Sequence, residues 1–370
     1  MRGLKQTAQK ILGVAKIKIG GKNPWDIKIN NDKIYQKVLA QGSLGLGESY
    51  MDGWWDCKKL DEFFNKIIRA GLENKINERG FLRKLLQIKL TNVQNKKRAY
   101  EVGKKHYDIG NDLYKLMLDK RMVYSCGYWK NAKTLDEAQE AKLDLICKKM
   151  GLKPRMKILD IGCGWGSFLK FAAKKYKVKG VGITISKEQK KLAEEICKGL
   201  PVEIRLQDYR DVNEKFDRII SIGMFEHVGP KNYRTYMKVV NRCLKDDGMF
   251  LLHTIGVNTP KKVGDRWFNK YIFPNSALPS PGQIINSSEG LLVLEDWHNF
   301  GEDYDKTLIE WHRNFNKNWN KIKKNYDERF RRMWNYYLLA SAGGFRVKRN
   351  RLWQIVYSKN GVEGGYKPVR

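Results

Sequence analysis

The stretch ILDIGCGWGSFLKFA, residues 158–172, limits what this chain can fold into more than any other. An apolar run ends in Asp160, then come Gly162, Gly164 and Gly166, then a segment with helical spacing. Glycines at such a turn let backbone N–H groups approach a ligand closely. The spacing is GxGxG rather than the GxGxxG of pyrophosphate binders, and no Lys-Ser/Thr pair follows, which excludes a phosphate-binding P-loop. Four further apolar runs follow in order: VKGVGITI (178–185), PVEIRLQD (201–208), FDRIISIG (216–223) and GMFLLHTI (248–255). Helical patterns such as SFLKFAAKKY and KEQKKLAEEICKG separate them. Strands alternating with helices predict an α/β fold, a mostly parallel, doubly wound sheet. LLVLEDWHNF and LWQIVYSK add a late pair of edge strands, and 307–340 reads as helix.

The remaining sequence divides into zones. Residues 1–78 mix short helical patterns with turns, including QGSLGLGESYMDGWW at 41–55, and are expected to form a small helical domain. Residues 79–105 carry Phe81, Leu82, Leu85, Leu86, Leu90 and Val93 at helical spacing among nine Lys and Arg, with Glu101 opposing them. Such a segment is either a basic amphipathic helix lying on an anionic membrane or a connecting helix with a solvated basic side. Residues 106–370 hold the α/β pattern.

Charge narrows the partners. With 72 Lys+Arg against 40 Asp+Glu the formal net charge is +32, which predicts attraction to a polyanion, either nucleic acid or an anionic lipid surface. Lysine dominates, and genome base composition alone can inflate lysine. The six cysteines form no CxxC pair and no metal-ligand spacing, so they read as reduced thiols, and no metal site is expected. No secretory leader and no membrane-length apolar run are visible, so a cytoplasmic protein able to visit a membrane face is expected.

Several strand ends carry polar groups suited to a ligand. Thr184 or Gln189 stands where many nucleotide folds place an acid for the ribose. Asp208 ends the third strand, either at the height of an adenine or as a helix cap. In SIGMFEHVGPKNY (221–233), Glu226 and His227 follow a buried strand. Ionisable groups there need polar partners. If both lie on the strand they face opposite ways, and His227 is then a structural histidine.

The glycine-rich turn resembles the first motif of class I S-adenosylmethionine (SAM) methyltransferases. Taken with QGSLGLGESYMDGWW, KKRAYEVGKKHYDIGNDLY, YSCGYW, MFEHVGPKNY, LLHTIG, KYIFPN, EDWHNFGEDYDKTL and LWQIVYS, the chain is similar nearly end to end to the full-length bacterial cyclopropane-fatty-acyl-phospholipid synthases. The resemblance implies a class I methyltransferase domain with a helical N-terminal domain and a homodimer. Tyr124, Ser125, the 159–167 loop, 184–189, Asp208 and Tyr209 would then touch SAM. It also implies a bicarbonate ion held by Cys126, Glu226, His253, Tyr304 and the backbone of Ile255. In isolation, His253 and Cys126 would read as a satisfied core histidine and a buried thiol. Ser341 stands where relatives commonly carry Cys, so no cysteine nucleophile is required there.

The chemistry implied is demanding. An alkene is a poor nucleophile, so it needs a sulfonium-activated methyl, and closing the ring needs a base and a dry channel. The partner implied is an anionic phospholipid bilayer at the inner membrane face, and not nucleic acid. A methyltransferase acting on RNA would also account for the charge, but no RNA-binding module and no NPPY-type tetrapeptide appears. A membrane-binding protein without catalysis fits poorly with the intact Cys126, Glu226, His253 and Tyr304 set.

Overall fold

The computed structural model describes residues 2–72, 110–260 and 264–370. The basic segment 79–105, its boundary at 78, and His106 and Tyr107 lie outside the described residues.

The chain forms two compact units. The first draws on Met1–Asn92, Lys262–Pro274 and Tyr304–Asn350, and the second on Val93–Lys261, Asn275–Asp303 and Arg351–Arg370. The helical unit therefore does not stop with the N-terminal segment, and the α/β unit is not one continuous stretch.

The helical unit contains Arg2–Val14, Ile34–Gln41, Ser43–Met51, Leu60–Arg69, Arg266–Tyr271 and Glu328–Arg346, with most of Glu302–Ile322. A two-stranded antiparallel ribbon, β1 (Ile27–Ile29) with β2 (Trp55–Cys57), accompanies them. Its core is aromatic. Trp55 meets Phe63 and Tyr50, and Tyr336 packs on both Phe64 and Trp267. Gly47 is required by this packing, because a Cβ there would stand 2.3 Å from the Trp267 ring.

The α/β unit is built on a seven-stranded sheet of β3 (Lys157–Ile161), β4 (Lys179–Thr184), β5 (Val202–Leu206), β6 (Phe216–Ile222), β7 (Leu244–Val257), β8 (Val293–Asn299) and β9 (Asn350–Ser358). The order across the sheet is β5-β4-β3-β6-β7-β9-β8. The pairings from β5 to β7 are parallel, and β8 runs antiparallel to β9. Chain order reverses between β3 and β6, and ligands of open α/β sheets bind at the carboxyl ends beside such a switch.

Alternation along the strands feeds two cores. Leu159, Ile219 and Leu252 join one cluster with helix Tyr233–Cys243, whereas Ile158, Ile220 and Leu251 join the other with helices Leu135–Lys149 and Ser167–Tyr176. A period of two delivers successive side chains to opposite faces. Asp160 and His253, two residues beyond Ile158 and Leu251, therefore share the face covered by Leu135–Lys149.

Candidate active site

The turn after β3 has the geometry its glycines suggest. Gly162, Gly164 and Gly166 adopt φ of 81°, 54° and 79°, a region that side-chain-bearing residues rarely enter. Gly162 and Cys163 both donate their N–H to the Ile183 carbonyl, which ties the turn to the end of β4. Helix Ser167–Tyr176 starts directly afterwards. Asp160 is buried beneath the turn, and its Oδ1 has no hydrogen-bond partner among the described residues. Burial pushes its carboxyl up to about 7, opposed by the charge of Lys142.

At the next strand end, Thr184 and Gln189 are not alternatives but a pair. The Thr184 hydroxyl donates to Gln189 Oε1 at 2.8 Å, which turns the amide nitrogen of Gln189 outward as the donor. Ser186 caps the helix by accepting the Gln189 N–H at 3.3 Å.

Asp208 caps. Its Oδ1 accepts the Arg210 N–H at 2.9 Å and its Oδ2 lies 3.1 Å from the Arg210 guanidinium, so the carboxylate is engaged locally. Tyr209 is buried against Tyr236, with the Arg210 guanidinium over its ring.

Glu226 and His227 are not on β6. The strand ends at Ile222, Gly223 turns the backbone with φ of 69°, and Phe225–His227 form a single 3₁₀ turn. The strand-alternation argument for His227 therefore does not apply, although burial does hold its ring neutral, down to about 4. Glu226 is 5% exposed, and its Oε1 accepts the Ile255 N–H at 2.7 Å. Ile255, whose backbone the resemblance places at a bound anion, thus also holds Glu226 through its N–H. Glu226 Oε2 is buried without a partner among the described residues, and desolvation pushes the carboxyl up to about 7.

His253 lies opposite Ile222 in the β6–β7 register, and its carbonyl accepts the Gly223 N–H. Its ring is 1% exposed, and burial, helped by the charges of Lys142 and Lys149, holds it neutral. The Gln354 amide nitrogen on β9 stands 3.3 Å from Nδ1, which leaves the proton on Nε2. That Nε2 has no partner among the described residues.

Cys126 is fully buried, with its Sγ 3.1 Å from the Gly127 carbonyl. Beside it, Ser125 is buried, and the Tyr124 ring meets Tyr114 edge-on at 5.1 Å. Tyr114 in turn packs on Trp165 of the glycine turn, which places Tyr124 in an aromatic chain leading to that turn. Tyr304 belongs to the helical unit, where its ring stacks on Phe345 at 4.5 Å.

Sequence reasoning passed over Lys142 and Gln139. Both are wholly buried on helix Leu135–Lys149, and both contact Ser125. Their spacing from Leu135, Ala138 and Ile146 puts them on the apolar face, which was the available signal. His298 was also silent. Its Nδ1 lies 3.2 Å from the buried Lys149 ammonium, which also pairs with Asp296. Among the described residues no cluster of His, Cys, Asp or Glu could hold a metal ion.

The sheet order, the glycine turn at the switch point and the polar groups at the carboxyl ends define a class I SAM-dependent methyltransferase. Within that class, the model of the family "mycolic acid cyclopropane synthetase" matches residues 94–355, and the chain belongs to this cyclopropane synthase family. It is 56% identical over 365 residues to cyclopropane-fatty-acyl-phospholipid synthase of Escherichia coli, covering 98% of this chain and 95% of that protein. The solved cyclopropane synthase MmaA2 of Mycobacterium tuberculosis superposes with a TM-score of 0.67 at 30% identity, covering 70% of this chain and 98% of that one. Mycolic acid cyclopropane synthase CmaA1, solved with SAH and CTAB, gives 0.66 at 32% identity over 70% of this chain and 98% of that one.

Proposed function

We propose that this chain is a cyclopropane-fatty-acyl-phospholipid synthase: it adds a methylene from SAM across the cis double bond of an unsaturated phospholipid acyl chain. The observation that carries the reading is a pair of buried polar atoms without a hydrogen-bond partner among the described residues: Glu226 Oε2, just beyond β6, and His253 Nε2, on the adjacent parallel strand β7. Buried polar groups are rarely left unsatisfied unless a ligand or a reaction uses them.

The residues present fit SAM. Asp160, Gly162, Gly164 and Gly166, the Thr184–Gln189 pair and Tyr209 line the carboxyl ends of β3 to β5, with Tyr124 and Ser125 on the segment before helix Leu135–Lys149. SAM, when bound, supplies a methyl group activated by a sulfonium. Glu226, His253 and Cys126 fit a small hydrogen-bonded anion such as bicarbonate, which would supply a base.

The protein's own groups perform distinct tasks. Glu226, with Oε1 committed to the Ile255 amide and a proton affinity near neutrality, presents Oε2 to accept a hydroxyl proton. His253 is a neutral donor through Nε2, which suits an oxygen of an anion. Phe225, next to Glu226, stacks on Tyr233 at 4.3 Å within the hydrophobic core, which keeps that side of the Glu226 turn apolar.

The net charge of +32 supports docking on an anionic phospholipid surface. Among the described residues no helix is long and apolar enough to cross a membrane. The test mixes the purified chain, SAM and vesicles of cis-unsaturated anionic phospholipid, with and without bicarbonate, and analyses the acyl chains by mass and proton NMR. A gain of one CH₂ with upfield cyclopropane protons, dependent on bicarbonate, is expected. Unchanged lipid with SAM still bound would overturn the reading and direct the search to another methyl acceptor, RNA first.

A further inference from the structure

Helix Leu135–Lys149 sends two long polar side chains into the core at positions three apart, and both end on one residue. Lys142 Nζ lies 2.9 Å from Ser125 Oγ, and Gln139 Nε2 lies 2.7 Å from the Ser125 carbonyl. Lysine and glutamine are seldom fully buried, yet both are 0% exposed. Asp119 steadies the start of the same segment by accepting the N–H of Val123 at 2.8 Å and of Arg121 at 3.2 Å. The backbone and side chain of Ser125 are thus fixed from one side.

An ammonium has three protons to give and no lone pair to receive one. Facing Lys142, the Ser125 oxygen can only accept, so its single proton must point away from the lysine. The hydroxyl is therefore presented as an obligate donor backed by a buried positive charge, an arrangement that selects an anionic acceptor. Burial lowers the Lys142 ammonium to about 8, opposed first by the charge of Asp119 and less by that of Asp160.

We propose that Lys142 is a positioning residue that makes Ser125 a donor to the α-carboxylate of the SAM amino-acid end, with Gln139 locking the backbone of Ser125. This rests on the reading that Ser125 contacts SAM.

The test compares two ligands on the full chain by calorimetry: S-adenosylhomocysteine, and 5′-methylthioadenosine, which keeps adenine, ribose and sulfur but lacks the amino-acid end. Lys142→Met should weaken S-adenosylhomocysteine by about tenfold, the scale of one charge-assisted hydrogen bond, and leave 5′-methylthioadenosine unchanged. A residue that merely supported the fold would weaken both alike, and that result overturns the proposal, as does no change in either. Ser125→Ala separates the underlying reading. If it leaves both ligands unaffected, Ser125 is not a contact and the SAM-site reading of that residue fails. If it weakens S-adenosylhomocysteine and Lys142→Met adds its full effect on top, Lys142 does not act through Ser125. Should Lys142→Met fail to fold, Lys142→Gln, which keeps a neutral donor, replaces it. It should show the same ligand-selective loss in smaller degree, and equal weakening of both ligands would again overturn the proposal.

Discussion

The Ile255 N–H points at the Glu226 carboxylate, 2.7 Å from Oε1, and this single bond is the main polar support of a fully buried acid. Desolvation of the charge outweighs the hydrogen bonding to Ile255 and its neighbours, which is why the carboxyl rises from 4.5 to about 7. Between those values the folded state holds its proton more tightly than the unfolded state. Stability from this group is therefore full below about 4.5 and declines as pH rises towards 7. Glu226→Gln keeps an acceptor for Ile255 and removes the charge. Buried His227 and His253 act in the opposite sense below about 6.5, so the quantity to follow is the difference between variant and wild type. Urea unfolding should show the variant gaining on wild type by on the order of 2–3 kcal/mol from about pH 5 to about pH 8, while activity is lost. Parallel stability profiles would mean that the Glu226 carboxyl binds its proton no more tightly in the folded chain than in the unfolded one, and would refute its raised proton affinity.

His253 depends on β9. Among the described residues Gln354 is its partner at Nδ1, at 3.3 Å, and it fixes which ring nitrogen carries the proton. Gln354→Leu should lower kcat about tenfold, in line with other groups that orient a working histidine, and shift the nitrogen-15 tautomer signature of His253. An unchanged tautomer together with unchanged kcat would show that the pair is only packing. In wild type the ring should stay neutral throughout about pH 5 to 8, read by the same NMR signals.

Gly256 tests how tightly this strand end is clamped. A Cβ there would stand 1.9 Å from Trp353 Cζ3 and 2.4 Å from Cη2 of the buried indole, so the ring would have to shift. Gly256→Ala should cost about 1–3 kcal/mol in urea unfolding, the usual range for overpacking. Because Gly256 follows Ile255 directly, activity should fall further than stability predicts. A neutral Gly256→Ala would mean that Trp353 yields easily and that the clamp is soft.

Much of this was legible in the sequence because it is local. Apolar runs marked β3 to β7, and the GxGxG turn marked the switch point, since glycine most readily takes the positive φ found at Gly162, Gly164 and Gly166. What was not legible depends on partners far away in the chain. Nothing near Tyr304 says that its helix joins the N-terminal segments in one unit, because that is decided by packing of Glu328–Arg346 on Leu60–Arg69. Lys142 reads as a solvent-exposed cation until its helical phase is counted against Leu135, Ala138 and Ile146. His227 was misplaced for a related reason: Gly223 ends the strand, and alternation does not survive a turn.

Two adjacent pairs bind the helices Glu302–Ile322 and Glu328–Arg346 in register within the helical unit. Tyr304 stacks on Phe345, and the neighbouring Asp305 takes a bidentate ion pair from Arg346 at 2.8 and 2.9 Å. Arg346 also pairs with Asp61 at 2.8 Å and with Glu62, so one guanidinium is shared by three carboxylates, which hold its proton more firmly than usual. Removing the cation leaves three like charges partly shielded from water, a larger loss than that of an exposed ion pair. Arg346→Met should therefore cost about 2–4 kcal/mol in urea unfolding. Adding Asp305→Asn should restore part of that loss, because one of the unpaired charges is then gone. If Tyr304 takes part in the reaction, Arg346→Lys, which keeps the charge but not the fork, should retain most of the stability and lose activity. Equal retention of both would place the Arg346–Asp305 contact in the fold alone.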